Sequence, residues 1–381
     1  MTTPSRVLFL ITSSGTGGAE NLFKELVFRL DRSRFEPVFC SLRPTDSAAN
    51  EIEAAGVPVF SLGMSERPHA AGMARACTQL RSLYRRQRIE LVQSSLYRAN
   101  VLAPLAALGG RSLPRVVTSQ HSLAPLKGGL SVFMTRRAHR LSDGVVAVSD
   151  AVRRYMIESE GIPGERIAVI PNGVDTQSFH PVEPKAARES LGLGEDELVI
   201  GAAGRLASVK GFDTLIEAVS RLRSSGMRPK VLIAGEGPEE IHLRSLIAKA
   251  GLENQIRLLG LRDDLATLYS VFDIFVLSSR REGSPGVVLE AMASECAVLA
   301  TAVGGVPEII EDGESGALVP PDDARSLAES MEDLLGSEPK RRQLAANGRA
   351  RVRREFDLAE ITLRYEALYS RLLLQGNSEM A

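Results

Sequence analysis

The chain has 381 residues, of which 44% are apolar, 24% charged and 5% aromatic. This is enough sequence for two hydrophobic cores, and the composition excludes the disordered and fibrous classes. The formal net charge of −1 excludes a strongly basic nucleic-acid binder and an acidic-tail protein, yet it is a sum of opposites: residues 1–180 carry 22 Lys+Arg and 15 Asp+Glu, a net of +7, and the remainder carries 24 and 32, a net of −8.

Taken in chain order, short β-branched runs alternate with amphipathic helical patterns. In the first half, strands are predicted at Val7–Ile11, Val38–Ser41, Val57–Ser61, Leu91–Gln93, Val116–Thr118, Val145–Val148 and Ala168–Ile170. Helical spacing occupies Ala19–Leu30, Ala70–Arg88 and Asp150–Glu160. Several strands are apolar at consecutive positions, as in strands covered on both faces, and the βα alternation implies a parallel sheet wrapped by helices. The segment Pro171–Lys185 holds three prolines and a glycine and reads as the interdomain linker. The rhythm then restarts. Strands are predicted at Val199–Ala202, Val231–Ala234, Ile256–Leu259, Ile274–Leu277, Val298–Ala300 and Ala317–Val319, with helices at Gly211–Ser224, Pro238–Ala250, Val287–Ser294 and Asp323–Leu335. Lys340–Leu374 reads as one long charged helix that crosses back over the first domain. Two doubly wound domains in tandem place a ligand cleft between two sets of strand C-terminal ends.

Several classes lose their support. Cys40, Cys77 and Cys296 are scattered, without CxxC spacing, which points to reduced, buried thiols in a cytosol rather than disulfides or zinc. The N-terminal apolar run is five residues long, too short for a signal peptide. The longest uncharged stretches, Ala99–Gly110 and Cys296–Pro307, are about half a membrane span. No HExxH, GxxxxGK[ST], GxSxG or EF-hand pattern occurs, which removes the usual support for metal-assisted hydrolysis and P-loop chemistry. There is no tryptophan and there are only six tyrosines, so stacking platforms for nucleic acid are lacking.

Three segments carry chemistry. Gly15-Thr-Gly-Gly18 follows the first strand and opens a helix, either as a tight turn or as an anion-binding loop. Arg205 and Lys210, in Gly204-Arg-Leu-Ala-Ser-Val-Lys-Gly211, flank a loop at a strand end. They are either solvated surface charges or a pair that neutralises a diphosphate leaving group. Glu282 and Glu290, in Glu282-Gly-Ser-Pro-Gly-Val-Val-Leu-Glu290, straddle a turn and a helix start. The pair is either a capped helix with a solvated face or two carboxylates for ligand hydroxyls.

Together with Ser279-Arg-Arg-Glu282, Gly304-Gly305-Val-Pro-Glu308, Gly17-Gly18-Ala-Glu20, Val148-Ser149 and Pro171-Asn172-Gly173-Val174-Asp175, these segments resemble the retaining glycosyltransferases of family four, in order, over roughly residues 5–370. One departure is Ser294-Glu295-Cys296-Ala297, where that family usually has a small residue, Gly and Pro; it reads as a structural turn.

The resemblance implies an α/β protein of the GT-B fold, with two tandem Rossmann-like doubly wound domains facing across a cleft. Residues 1–180 would be the acceptor-side domain, 181–360 the nucleotide-sugar donor domain, and 361–381 a C-terminal helix packing back toward the first. It implies hexose or N-acetylhexosamine transfer, with retention, from a nucleoside diphosphate sugar to a hydroxyl of a glycan or lipid-linked acceptor in cell-envelope or exopolysaccharide synthesis. No metal or other cofactor is required. By resemblance, Arg205 and Lys210 hold the diphosphate, Glu290 the ribose hydroxyls and Glu282 the donor sugar. Backbone amides of Ser284, Pro285, Gly286 and Val287 support sugar and phosphate, Gly18 approaches the β-phosphate, His121 lies near the reacting sugar, and the base sits near Leu259–Leu261. His121 with Glu282 forms the catalytic pair, and Ser149 either touches ligand or caps a helix. The leaving phosphate deprotonates the acceptor on the same face, with Glu282 as a binding residue. The competing classes are a nucleotide-sugar epimerase of the same architecture and an NAD-dependent oxidoreductase. The basic clusters Arg75–Arg88 and Arg136–Arg140 are solvated faces or a docking surface for an anionic membrane or a lipid diphosphate, which would place a cytoplasmic protein on the inner face of the membrane.

Overall fold

The computed structural model describes residues 3–13, 17–45, 47–66, 69–109, 113–123, 129–224 and 226–378. The chain divides into two units: residues 1–172 with 359–381, and residues 173–358.

Unit 1 contains a seven-stranded parallel sheet of order β3-β2-β1-β4-β5-β6-β7. Its elements run β1 (Ser5–Ile11), α1 (Gly18–Arg29), β2 (Phe35–Ser41), α2 (Ser47–Ala54), β3 (Val59–Ser61), α3 (Ala70–Arg86) and β4 (Leu91–Ser95). They continue with α4 (Tyr97–Ala106), β5 (Arg115–Gln120), α5 (Gly129–Leu141), β6 (Gly144–Ala147), α6 (Asp150–Glu160) and β7 (Ile167–Val169). Five successive apolar residues, Val7–Ile11, are fully buried because helices cover both faces of the strand. Helix α1 turns Leu22, Phe23, Leu26 and Val27 inward, and Phe23 meets Phe9 edge to face at 5.5 Å.

Unit 2 repeats the scheme with a six-stranded sheet of order β10-β9-β8-β11-β12-β13. Its elements are α7 (Lys185–Ser190), β8 (Val199–Ala203), α8 (Phe212–Ser224), β9 (Lys230–Ala234), α9 (Glu240–Lys249), β10 (Ile256–Gly260), α10 (Leu265–Val271) and β11 (Ile274–Leu277). They are followed by α11 (Gly286–Ala293), β12 (Ala297–Thr301), α12 (Val306–Ile309), β13 (Ala317–Val319), α13 (Ala324–Leu335) and α14 (Glu338–Glu355). Apolar layers lie on both faces of this sheet, one around Phe275, Leu289 and Met292, the other around Leu215, Ile233 and Met331.

Three readings are corrected. The first boundary falls at 172/173 rather than 180/181, because Val174 is stitched into unit 2: its N–H donates to Phe356 O at 3.0 Å, and its C=O accepts from Leu358 N at 3.0 Å. That pairing also divides the single helix expected over Lys340–Leu374. Phe356 is buried in the unit 2 core, Asp357 bridges to Val174 and receives the Thr176 hydroxyl, and α15 (Leu358–Ser378) then joins unit 1. Within unit 1, Glu366 on α15 accepts from Asp31 N at 2.7 Å and pairs with Arg34 at 3.1 Å. Finally, Cys40 and Cys296 are buried free thiols as expected, whereas Cys77 is only half-buried.

Candidate functional site

In unit 2 the site is built from two loops that leave neighbouring strands, β8 and β11. After β8 the chain turns at Gly204 and is fastened to the loop beyond β9, with Leu206 N donating to Glu236 O at 2.8 Å. Residues Ser208–Lys210 make a single 3₁₀ turn that ends at Gly211, with φ of +62°. A Cβ there would overlap the Ser278 carbonyl oxygen, so only glycine lets this loop reach the end of β11. The contact is closed by Ser278 Oγ donating to Lys210 O at 3.1 Å and Arg280 N donating to Val209 O at 2.8 Å. The Arg280 side chain adds Asp213 at 2.8 Å, Asp322 at 2.6 Å and the Ser208 carbonyl.

Across this junction, Lys210 Nζ meets Glu282 Oε1 at 2.6 Å, and Ser279 Oγ donates to the same oxygen at 2.6 Å. The Glu282 side chain is only 10% exposed, so this is an ion pair largely withdrawn from solvent. Arg205 is exposed, and among the described residues nothing engages its guanidinium. It is a cation available to an incoming anion.

Helix α11 begins just beyond Glu282. Val288, Leu289, Ala291, Met292 and Ala293 are buried, which fixes the helix, while Val287 and Glu290 stay partly open. Its first-turn amides carry the positive end of the helix dipole. Glu290 Oε2 accepts from Tyr269 OH at 2.8 Å. The Tyr269 ring is held edge to face by Phe179, Phe272 and Phe275, with centroids at 6.1, 6.1 and 5.5 Å. Burial raises the Glu290 carboxyl above its ordinary range, and the Tyr269 bond acts against that rise. Burial likewise holds the Tyr269 hydroxyl far above the usual phenol value, so it is a proton donor throughout. A Cβ at Gly286 would stand 3.7 Å from Glu290 Oε1, in ordinary contact with it.

The structure therefore brings Lys210 and Glu282 into contact, and it places Ser284, Pro285, Gly286, Val287 and Glu290 at the mouth of one helix. Ser284 and Pro285 are buried and Pro285 occupies the cap position. Leu259 and Gly260 end β10, Gly260 O accepts from Gly235 N at 2.7 Å, and Leu261 is 61% exposed. Gly305 N reaches toward Glu282 O at 3.4 Å from the loop after β12. At the variant turn, Glu295 adopts φ of +59°, a glycine-like conformation, and ion-pairs with Arg349 at 2.9 Å.

The unit 1 candidates are taken within their own unit. Of Gly15–Gly18, Gly15 and Thr16 lie outside the described residues. Gly18 is the exposed first residue of α1, with open space where a side chain would stand. His121 follows β5. Burial lowers its pKa to about 4, with the Asn172 side chain acting the other way, so its ring is neutral at physiological pH. Ser149 is an N-cap: its Oγ accepts from Val152 N at 3.2 Å.

Sequence reasoning missed Tyr269, which sits on a short buried helix with no motif around it. It also missed the three ties made by the Arg280 side chain and the clamp from Glu236, whose Gly-Glu-Gly-Pro run after β9 was the available signal. The loops and helix of this region present two cations, Arg205 and Lys210, two carboxylates, Glu282 and Glu290, and the N-terminal end of α11.

Residues 16–178 match the profile described as Glycosyltransferase Family 4, and residues 184–351 the profile described as Glycosyl transferases group 1. A lipopolysaccharide core biosynthesis mannosyltransferase of Rhizobium meliloti (strain 1021) is 30% identical over 64% of this chain and 69% of its own length. A D-inositol 3-phosphate glycosyltransferase of Stackebrandtia nassauensis is 32% identical over 54% of this chain and 49% of its own. Among solved structures, Anabaena Alr3699/HepE in complex with UDP and glucose superposes with a TM-score of 0.86 over 96% of this chain and all of that one, at 23% identity. That likeness is one of fold.

Proposed function

From the premise that the chain belongs to the family 4, group 1 glycosyltransferases, we propose that it moves a hexose or N-acetylhexosamine from a nucleoside diphosphate sugar to a hydroxyl of a glycan or glycolipid acceptor in cell-envelope polysaccharide synthesis. The observation that carries the donor class is the Lys210–Glu282 pair set at the mouth of α11, with Glu290 in the same helix and Arg205 exposed on the loop that carries Lys210. The UDP and glucose held by the Anabaena relative support a nucleotide sugar as donor.

Negative charge grows on the diphosphate as the glycosidic bond breaks, and oxocarbenium character grows on the sugar. Arg205, Lys210 and the α11 amides meet the first without a metal. Removing one such preorganised contact costs about 10²–10³ in rate. Lys210 binds phosphate by turning from Glu282, or by bridging both. In either case Glu282 stays placed to accept hydrogen bonds from sugar hydroxyls. Glu282 Oε1 already accepts from Lys210 and Ser279, which blunts it as a nucleophile and supports retention through the leaving phosphate rather than through a glycosyl-enzyme ester. His121, neutral near pH 7, donates or accepts a hydrogen bond at the reacting sugar rather than a charge.

The test is a panel of UDP-, GDP- and ADP-sugars, read by thermal shift and by release of the nucleoside diphosphate, with and without EDTA. One donor class should stabilise the protein and be cleaved, chelator should change nothing, and NMR of the product should show the anomeric configuration kept. A covalent adduct on Glu282 found by mass spectrometry would overturn the phosphate route.

A further inference from the structure

The end of β4 departs from the apolar pattern of its neighbours. The strand lies between β1 and β5 in the sheet, yet Gln93, Ser94 and Ser95 close it, and all three are fully buried. A core alone would place apolar residues there, since a buried polar group costs free energy unless it is bonded. The bonds converge on one residue of the next strand. Pairing of β4 with β5 ends at Ser95 and Ser119, and the chain then leaves the sheet at Leu96, whose φ of +70° is a strained value for leucine. From the first turn of α4 the buried Asn100 reaches back to the strand ends. Its Nδ2 donates to Ser119 O at 2.8 Å, and its Oδ1 accepts from Ser94 Oγ at 2.8 Å. Gln93 Nε2 donates to Ser119 Oγ. The same helix start is fastened to the end of β1, with Ala99 N donating to Thr12 Oγ1 at 3.3 Å. Ser119 is therefore gripped through both its carbonyl and its hydroxyl, two residues before His121.

Unit 2 contains a similar tie. Thr301, buried at the end of β12, donates from Oγ1 to Ser279 O at 2.5 Å, just past β11 and three residues before Glu282. In each unit, a buried side chain from a neighbouring element holds a carbonyl shortly before a candidate site residue. On the role given to His121 in the proposed transfer, we propose that Asn100 is a positioning residue: by holding Ser119 O it sets the end of β5 and so the place of His121. Cohesion of the sheet does not call for this bond. Strands β4 and β5 are already paired from Leu91 to Ser95, and Asn100 adds its bond only at the last residue of that ladder. A catalytic group displaced by about 1 Å can lose about 10² in rate, so one amide at this point has leverage that a mid-strand bond lacks.

The test compares Asn100→Ala, Asn100→Asp and Ser94→Ala in the full chain. Ile52→Ala serves as the control for lost stability, since it removes a buried side chain from α2, which packs on β2 and β3. Asn100→Asp keeps the shape but sets a carboxyl oxygen against Ser119 O. With the sugar nucleotide selected by the donor panel, kcat should fall about 10- to 100-fold in both Asn100 variants, and KM for the donor should stay within about twofold. Ser94→Ala, which releases Asn100 Oδ1, should give a milder loss of about two- to fivefold and covers the case in which the Asn100 variants do not fold. The imidazole NMR resonance of His121, identified by its absence in His121→Asn, should move in the Asn100 and Ser94 variants and keep its place in Ile52→Ala. An unmoved His121 resonance overturns the proposal. So does a fall in kcat that Ile52→Ala matches at equal loss of Tm, or a donor KM that rises while kcat is kept. If His121→Asn retains full activity, the role of His121 in transfer fails instead, and the resonance still decides whether Asn100 sets its place.

Discussion

Burial raises the Glu290 carboxyl, so the fold favours its neutral form, while the ribose contact that we propose for it wants the carboxylate. The linkage has a definite sign. A carboxyl raised in the folded state contributes stability while protonated and loses it as pH rises through the folded value. Glu290→Gln keeps an acceptor for Tyr269 and removes the ionisation. It should raise Tm at about pH 7, with the gain vanishing as pH falls below the ordinary carboxylate range, while KM for the donor rises. Differential scanning fluorimetry against pH checks the first part and initial rates the second. Tyr269→Phe should act through the same carboxylate, raising KM for the donor by about three- to tenfold with kcat little changed, since it removes one hydrogen bond to a charged group. His121 runs the opposite way. Its folded pKa of about 4 lies below the ordinary imidazole value, so stability present at neutral pH is lost as pH falls from about 6.5 toward 4. His121→Asn should flatten the acid limb of the denaturation profile.

At the scale of elements, the strands were legible because each is a short apolar run covered on both faces. Val199–Ala203 and Ile274–Leu277 are buried along their whole length, and no other element type fits so short a run. Helix α4 was not legible for the converse reason. Ala99–Pro104 is buried all round, so no amphipathic period appears, and Pro104 inside the helix reads as a breaker. Nor was the break between α14 and α15, since the partner that causes it, Val174, is remote in sequence. The loops of the site were legible as glycine-bearing turns after strands. The Lys210–Glu282 contact was not, because it needs β8 and β11 to be neighbours in the sheet. Helix α15 carries its own prediction. Glu366 is buried and satisfies both Asp31 N and Arg34, so Glu366→Ala should cost about 1–3 kcal/mol, read as a lower urea midpoint, with Glu366→Gln recovering part of it.

For the whole molecule, the near-neutral total conceals a division that survives the shift of boundaries. Counted over the structural units, unit 1 carries 24 basic and 17 acidic residues and unit 2 carries 22 and 30, so the split is again +7 against −8. In the acidic unit, the cations of the proposed donor site stand out against the net charge around them. This makes Lys210 the sharpest test of the central claim. On the preferred sugar nucleotide, kcat/KM of Lys210→Ala is to be compared with that of Arg342→Ala, whose side chain is 81% exposed on α14. The account predicts a loss of about 10²–10³ for Lys210→Ala and almost none for Arg342→Ala. Equal values for the two variants would contradict it.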